Sequence, residues 1–157
     1  MPSLGKNSKI MKELKARVII PGRARGKALV TSQPLNLTSG LSKPLNLFNR
    51  FAGVYYDRHH ELYKKDLYNR ILVFPQTIGS TFTGMVVLET IRRGRAPLAM
   101  IVQSADPLLA SGVILAEVWL ERKVPFLEIP DPELFTLIRT DDLVEVDGDS
   151  GIVRIID

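Results

Sequence analysis

The residues with the clearest chemical potential lie in one ten-residue run, Pro75-Gln76-Thr77-Ile78-Gly79-Ser80-Thr81-Phe82-Thr83-Gly84. Small hydroxyl and glycine residues here separate the apolar stretch ILVF (71–74) from GMVVLETIRRG (84–94), so the run reads as a strand-to-helix turn. A helix that starts there presents backbone N–H groups without intrahelical acceptors, together with the positive end of its dipole. Such a terminus stabilises an anion: a substrate carboxylate, a phosphate, or the alkoxide of Ser80 itself. Gly79, Thr81 and Thr83 are the candidate substrate contacts around Ser80. The same residues admit a plainer use, because Ser80, Thr81 or Thr83 can cap the helix with no ligand at all. On spacing alone both readings stand. Neither G-x-x-x-x-G-K-[ST] nor G-x-G-x-x-G occurs, so nucleotide phosphate binding of those types has no support.

Three further groups deserve a chemical reading. Gln103 to Gly112 again runs from a strand end into a helix, with Asp106 and Pro107 as N-cap and first helical residue. Two such loops on one sheet edge form a crevice of the kind that binds ligands in α/β folds. Asp57-Arg58-His59-His60-Glu61 offers a general acid or base near neutral pH, or simply an exposed polar loop. Arg23, Arg25 and Lys27 around PGRARG either bind an anionic substrate tail or form a solvated basic turn, and Arg23 is the candidate substrate contact among them. The two histidines are adjacent, and adjacent side chains rarely converge on one ion, so no metal ligands are assigned. The chain has no cysteine. It therefore forms no disulfide, uses no thiolate nucleophile and holds no iron-sulfur cluster with its own thiolates.

The elements that must position these groups follow from periodicity and turn residues. ARVII (16–20) and KALVTS (27–32) read as strands joined by a PGRARG hairpin, and residues 33–53, which carry PLNL twice, read as a long loop. From Arg70 onward strands alternate with helices: ILVF, a helix over 84–94, LAMIVQ (98–103), a helix over 108–122, and VPFLEI (124–129). That alternation requires parallel pairing with right-handed crossovers. DLVEV-DGDSG-IVRII closes the chain as a hairpin. The expectation is an α/β domain, a mixed sheet with flanking helices and β-hairpins at both ends. Trp119, on an apolar helix, is expected in the core.

Length and charge bound the rest. A chain of 157 residues with 45% hydrophobic content suits one domain. No apolar run is long enough to cross a bilayer, and the first residues lack the apolar middle of a secretory signal, so a cytoplasmic protein without a membrane role is expected. Residues 1–17 hold Lys6, Lys9, Lys12, Lys15 and Arg17 against Glu13, which leaves sixteen basic and sixteen acidic residues in the remainder. The net charge of +4 is thus a property of a basic N-terminal arm, placed at residues 1–15 and read as a solvated, frayed terminus, and no nucleic-acid surface is expected.

Taken in order, GRARGKALVTSQPLNL, DRHHELYKKDLYNRILVFPQTIGSTFTG and IRRGRAPLAMIVQSADPLLASGVILAEVWLERKVPFLEI resemble the aconitase X swivel family. The motifs that carry the resemblance are G-x-ALVT-x-x-PL, P-x-x-x-GS, R-x-G-x-AP and DP-x-LA-x-G, in one order. It implies a swivelling β/β/α domain, as in the aconitase C-terminal domain, over residues 16–157. It also implies a larger, cysteine-containing subunit as partner, with a 4Fe-4S cluster held by that subunit and not by this chain. The implied reaction is dehydration of a small hydroxy acid, with Ser80 at the position of the serine that removes a proton. One position departs from the pattern: relatives often carry a basic residue flanked by glycines before the serine, where this chain has Thr77-Ile78-Gly79. Ile78 cannot bind a carboxylate, so another group or the large subunit must do so. The Gly-Ser-Thr loop and the separate subunit look more like the archaeal phosphomevalonate dehydratases than the bacterial hydroxyproline dehydratases. The alternatives are a dehydratase for cis-3-hydroxyproline or another hydroxy acid, a non-catalytic binding module of the same fold, and a basic nucleic-acid-binding domain.

Overall fold

Four parallel strands carry the serine loop: β3 (Arg23–Val30), β4 (Ile71–Phe74), β5 (Ala99–Val102) and β6 (Phe126–Glu128), paired in that order. The computed structural model describes residues 8–157. All four residues of β4 and of β5 are buried, because helices cover one face of the parallel sheet and further strands cover the other. On the helical face Leu72, Phe74, Met100 and Val102 pack with residues of α2 (Thr83–Arg92) and α3 (Pro107–Leu120). On the opposite face Ile71, Val73, Ala99 and Ile101 share a core with β7 (Leu143–Asp147) and β8 (Ile152–Ile156). The alternation of neighbouring residues between the two cores makes the β/β/α layering expected from the sequence. A short α4 (Leu134–Leu137) adds Leu134 to the second core.

The N-terminal part departs from expectation. Residues 1–7 of the basic arm lie outside the described residues, but its remainder is no frayed tail: β1 (Ile10–Lys15) pairs antiparallel with β8. After the single residue Ala16, β2 (Arg17–Ile20) pairs antiparallel with β6, at the other end of the order β1-β8-β7-β3-β4-β5-β6-β2. One nearly continuous strand thus brings the two ends of the sheet together. The expected β2–β3 hairpin does not form, because β3 gives Arg23–Lys27 to β7 and Ala28–Val30 to β4. Gly22, at φ 135°, turns the chain between layers, and its carbonyl accepts from Gly148 N at 2.7 Å. A glycine between two β-branched runs signals a reversal locally; the partner strand is chosen by long-range packing.

Residues 33–53 are ordered as well. The first PLNL leads into α1 (Leu37–Leu41), capped by the Asn36 side chain, and the second forms a 3₁₀ turn, Pro44–Leu47, followed by another at Asn49–Phe51. Asn46 is buried, with Nδ2 donating to the carbonyls of Phe51 and Val54. Side-chain amides, invisible to periodicity, replace the missing regular ladder. Trp119 is 65% exposed, contrary to its expected place in the core. The α3 sequence is apolar on nearly every side, so its pattern does not select a face; Leu109, Ala110, Val113 and Ala116 turn inward, and Ile114, Val118 and Trp119 outward. No helix among the described residues is long and apolar enough to cross a membrane.

The two long helices touch at glycines. A Cβ on Gly112 would lie 2.1 Å from the Gly84 carbonyl oxygen, and one on Gly84 would lie 2.6 Å from the Leu108 carbonyl oxygen. Gly112→Ala gains about 1 kcal/mol of helix propensity. The clash is with backbone and places the overpacking cost at the upper end of roughly 1–3 kcal/mol. A net loss of about 2 kcal/mol is expected in urea unfolding; a variant as stable as the wild type would show that the helices separate freely.

Candidate active site

The serine loop leaves β4 at its carboxyl end, beside the loops that follow β3 and β5. It is tied to both. Pro75 O accepts from Gln103 N (3.1 Å) and Ser104 N (3.0 Å). Leu35 and Thr77 form a parallel bridge, with Leu35 N donating to Gln76 O and Ile78 N to Leu35 O, each at 3.0 Å. Thr77 Oγ1 donates to Asp106 Oδ2 at 2.5 Å, while Asp106 Oδ1 accepts from Leu108 N at 2.9 Å. Asp106 is therefore the N-cap of α3, as read from the sequence, and also a strut for the serine loop. The strut is itself held: Glu128 accepts from Ala105 N (2.7 Å) and from Arg17 Nε (2.9 Å). The Ala105 N–H, against the cost of burial and with help from Arg17, keeps the Glu128 carboxyl below the usual carboxylate range.

Ser80 sits at the head of α2, partly exposed. Its Oγ accepts from Phe82 N (3.0 Å), and its carbonyl accepts from Thr83 N (3.3 Å) and Thr83 Oγ1 (2.8 Å). The expected side-chain cap does not form: Phe82 is the N-cap of α2 and no side chain caps it, and the Ser80 hydroxyl instead closes a turn just ahead of the helix, where the Phe82 N–H points at the oxygen that would carry charge. The N–H groups of Gly79, Ser80 and Thr81 have no partner among the described residues. Gly79 is exposed, at φ 99°, and a Cβ there would lie 2.7 Å from Asn36 Nδ2. Only glycine meets both conditions without strain.

The other predicted contacts divide. Thr81 is exposed beside Ser80 and available to a ligand. Thr83, predicted as a substrate contact, is 1% exposed and its hydroxyl is committed to Ser80 O, so the structure places it behind the serine and not on the open face of the loop. Arg23 is not brought to the loop. It begins β3, ion-paired with Asp147 (3.3 Å) and Asp149 (3.1 Å), and the strand carries it roughly 20 Å from the carboxyl edge. Register explains this: β3 climbs from the β7–β8 turn toward the serine loop, and Arg23 is at the wrong end. His60 is buried edge-on to Tyr55, with ring centroids 5.1 Å apart. Its Nδ1 accepts from Leu62 N (3.0 Å) and its Nε2 faces Gln33 O (3.4 Å), an arrangement that ties the loop down. His59 is exposed in a separate hollow of about 430 Å³ with Tyr56 and Tyr63.

Two residues of the site were not singled out in the sequence, Asn36 and Tyr55. Tyr55 Oη accepts from Asn36 N (3.1 Å) and donates to Asn36 O (3.2 Å), and burial, opposed by the Asn36 contact and aided by Asp57, pushes its pKa up to about 12. Both lie far from Ser80 along the chain, and only the fold unites them. Next to Phe82 a groove of about 540 Å³ runs between α1 and α2, lined by Leu41, Ala52, Met85, Val86 and Arg93. On its rim Glu89 is bound first by Arg92 and then by Arg93, which hold its carboxyl down at about 2.

Known proteins resemble this chain in sequence and in fold. The sequence profile of the aconitase X swivel domain matches residues 13–155. The chain is 30% identical over 142 residues to the phosphomevalonate dehydratase small subunit of Methanothermobacter thermautotrophicus, covering 90% of this chain and 98% of that one. It is 32% identical over 141 residues to the small subunit of the same name from Archaeoglobus fulgidus, covering 90% and 96%. The crystal structure of Thermococcus kodakaraensis aconitase X in its holo-form is similar with a TM-score of 0.78 at 28% identity, over 93% of this chain and 99% of that chain.

The low Glu89 pKa gives the rim of the groove a pH signature. A carboxyl whose folded pKa is depressed adds stability above its unfolded value, near 4.5, and loses it as pH falls toward about 2. The side chain is 45% exposed, so solvent screening limits the gain to roughly 0–1 kcal/mol. Glu89→Gln should therefore melt a few degrees below wild type at pH 6, with the gap closing toward pH 2; a gap unchanged across that window would assign the difference to packing.

Proposed function

This chain belongs to the aconitase X swivel-domain family, and from that starting point we propose that it is the small subunit of a two-chain hydro-lyase, dehydrating (R)-5-phosphomevalonate to trans-anhydromevalonate 5-phosphate. The relatives that carry the name phosphomevalonate dehydratase small subunit support the substrate, and nearly full coverage of both chains supports the role of small subunit. The observation that carries the chemistry is the Phe82 N–H directed at Ser80 Oγ.

In this reading Ser80 is the base. Dehydration removes a proton from one carbon and hydroxide from its neighbour. An alkoxide at Ser80 would take the proton, and the head of α2, with the Phe82 N–H and the helix dipole, would lower the cost of holding that alkoxide. The unpartnered N–H groups of Gly79, Ser80 and Thr81 would donate to an anionic oxygen of the substrate. A 4Fe-4S cluster does not fit this chain, which has no cysteine and, among the described residues, no group of three His, Asp or Glu side chains able to hold an ion. The proposed complex would hold such a cluster on its cysteine-containing large subunit, and no step assigned to this chain passes through it. The second reading is a different hydroxy acid, such as cis-3-hydroxyproline; Ile78, 47% exposed beside Gly79, supplies no charge to either substrate.

Anaerobic co-expression with the large subunit, followed by dehydration assays on both compounds, tests the proposal. Turnover of 5-phosphomevalonate is expected to need both chains and to fall by roughly 10³-fold or more in Ser80→Ala. Activity on hydroxyproline alone would change the substrate. A Ser80→Ala complex as active as the wild type would remove the base.

A further inference from the structure

Asn36 has an idle donor beside Gly79. Its backbone is clamped by Tyr55 Oη on both its N–H and its carbonyl, and the carbonyl also accepts from Gly40 N at 2.8 Å. Its Oδ1 accepts from Ser39 N at 2.9 Å and so caps α1. That bond fixes which end of the amide is nitrogen. The amide packs against Gly79, where a Cβ would lie 2.7 Å from Nδ2 and 2.9 Å from Oδ1, and Nδ2 has no partner among the described residues. An Asn cap needs only its oxygen, and Asp or Ser would cap as well. The nitrogen adds something that capping does not use: two N–H donors at the residue preceding Ser80, beside three unpartnered backbone N–H groups. Neutral donors gathered in this way suit an anionic oxygen, and no cationic side chain lies between Pro75 and Gly84.

Resting on the reading of Ser80 as the base, we infer that Asn36 is a substrate-contacting residue whose Nδ2 donates to an anionic oxygen, carboxylate or phosphate, of the molecule Ser80 acts upon. The contact would supply what Ile78 cannot. It binds without placing a full positive charge beside the serine, and the fixed amide orientation rejects ligands that offer only donors.

Asn36→Asp keeps the cap, since the carboxylate still accepts from Ser39 N, but replaces the donor with a negative charge, so Asn36→Ser, which keeps a cap and loses the donor without adding charge, is the deciding variant. In the two-chain complex Asn36→Ser should melt within a few degrees of wild type while KM for 5-phosphomevalonate rises roughly 10- to 100-fold, the span of a lost hydrogen bond to a charged group. Asn36→Asp should show a larger rise of the same sign. Asn36→Ser folded with KM within about twofold of wild type would overturn the inference. A direct readout holds even if the complex does not turn over this compound. In ¹⁵N-labelled wild-type chain within the complex, titration with inorganic phosphate and separately with acetate should shift the Asn36 side-chain amide together with the amides of Gly79 to Thr81. The ion with the larger effect identifies the oxygen. Shifts confined to surface lysines, an adventitious ion only, or loop shifts that leave Asn36 unmoved would overturn the assignment. Loss of turnover with the Asn36 shift intact would instead remove the proposed reaction and leave the contact standing.

Discussion

Backbone meets backbone where Gly84 of α2 passes Gly112 of α3, and the serine site depends on that contact. With no side chain between them, the helices approach until carbonyl and Cα touch, which pins the head of α2 against the first turns of α3. Thr77 reaches the N-cap of α3 from one side, Asn36 backs Gly79 from another, and the Pro75 carbonyl closes a third. A loop that would otherwise wander is fixed by three neighbouring elements. The proton transfer proposed for Ser80 would need this kind of placement, because an error of an ångström costs a large part of the rate.

The charged groups around the serine loop are bonded locally, Asp106 among them to Thr77 Oγ1 and Leu108 N. Glu128 is bound to Ala105 and Arg17, Glu89 to Arg92 and Arg93, and Arg23 to the β7–β8 turn, each neutralised locally. What lies along the serine loop is a set of dipoles: backbone N–H groups, a helix end and, against Gly79, an amide. Fixed dipoles stabilise developing charge without having to reorganise, and they impose no single charge state on a ligand. A partner subunit that seals the loop from water would strengthen all of them at once.

The parts of this arrangement that are local were legible in the sequence. β4, α2, β5 and α3 follow from apolar runs and their punctuation, and Asp106–Pro107 announces the start of α3 because capping is a matter of adjacent residues. What depends on distant partners was not. PGRARG has the composition of a reversal, yet β2 and β3 bond to β6, β7 and β4. Trp119 lies on a helix apolar all round, so no moment distinguishes its inner face. Arg23 has the right chemistry at the wrong end of a strand. Asn36 belongs to a tetrapeptide, PLNL, whose second copy places its asparagine in a buried structural role, so composition alone could not tell the two apart.

The closing strand has a consequence for how the molecule is made. Ile10 to Lys15 pairs with Ile152 to Ile156, and Arg17 to Ile20 with Phe126 to Glu128. Synthesis therefore delivers both halves of this strand long before either partner exists. The local strand-helix units can collapse as they emerge, while the N-terminal segment waits with its edge groups unpaired until β8 has left the ribosome. Loop-closure entropy over such a span makes the last step slow. Lys12 and Lys15, exposed along that segment, keep it soluble in the interval, since charge on an edge strand discourages pairing with the wrong chain.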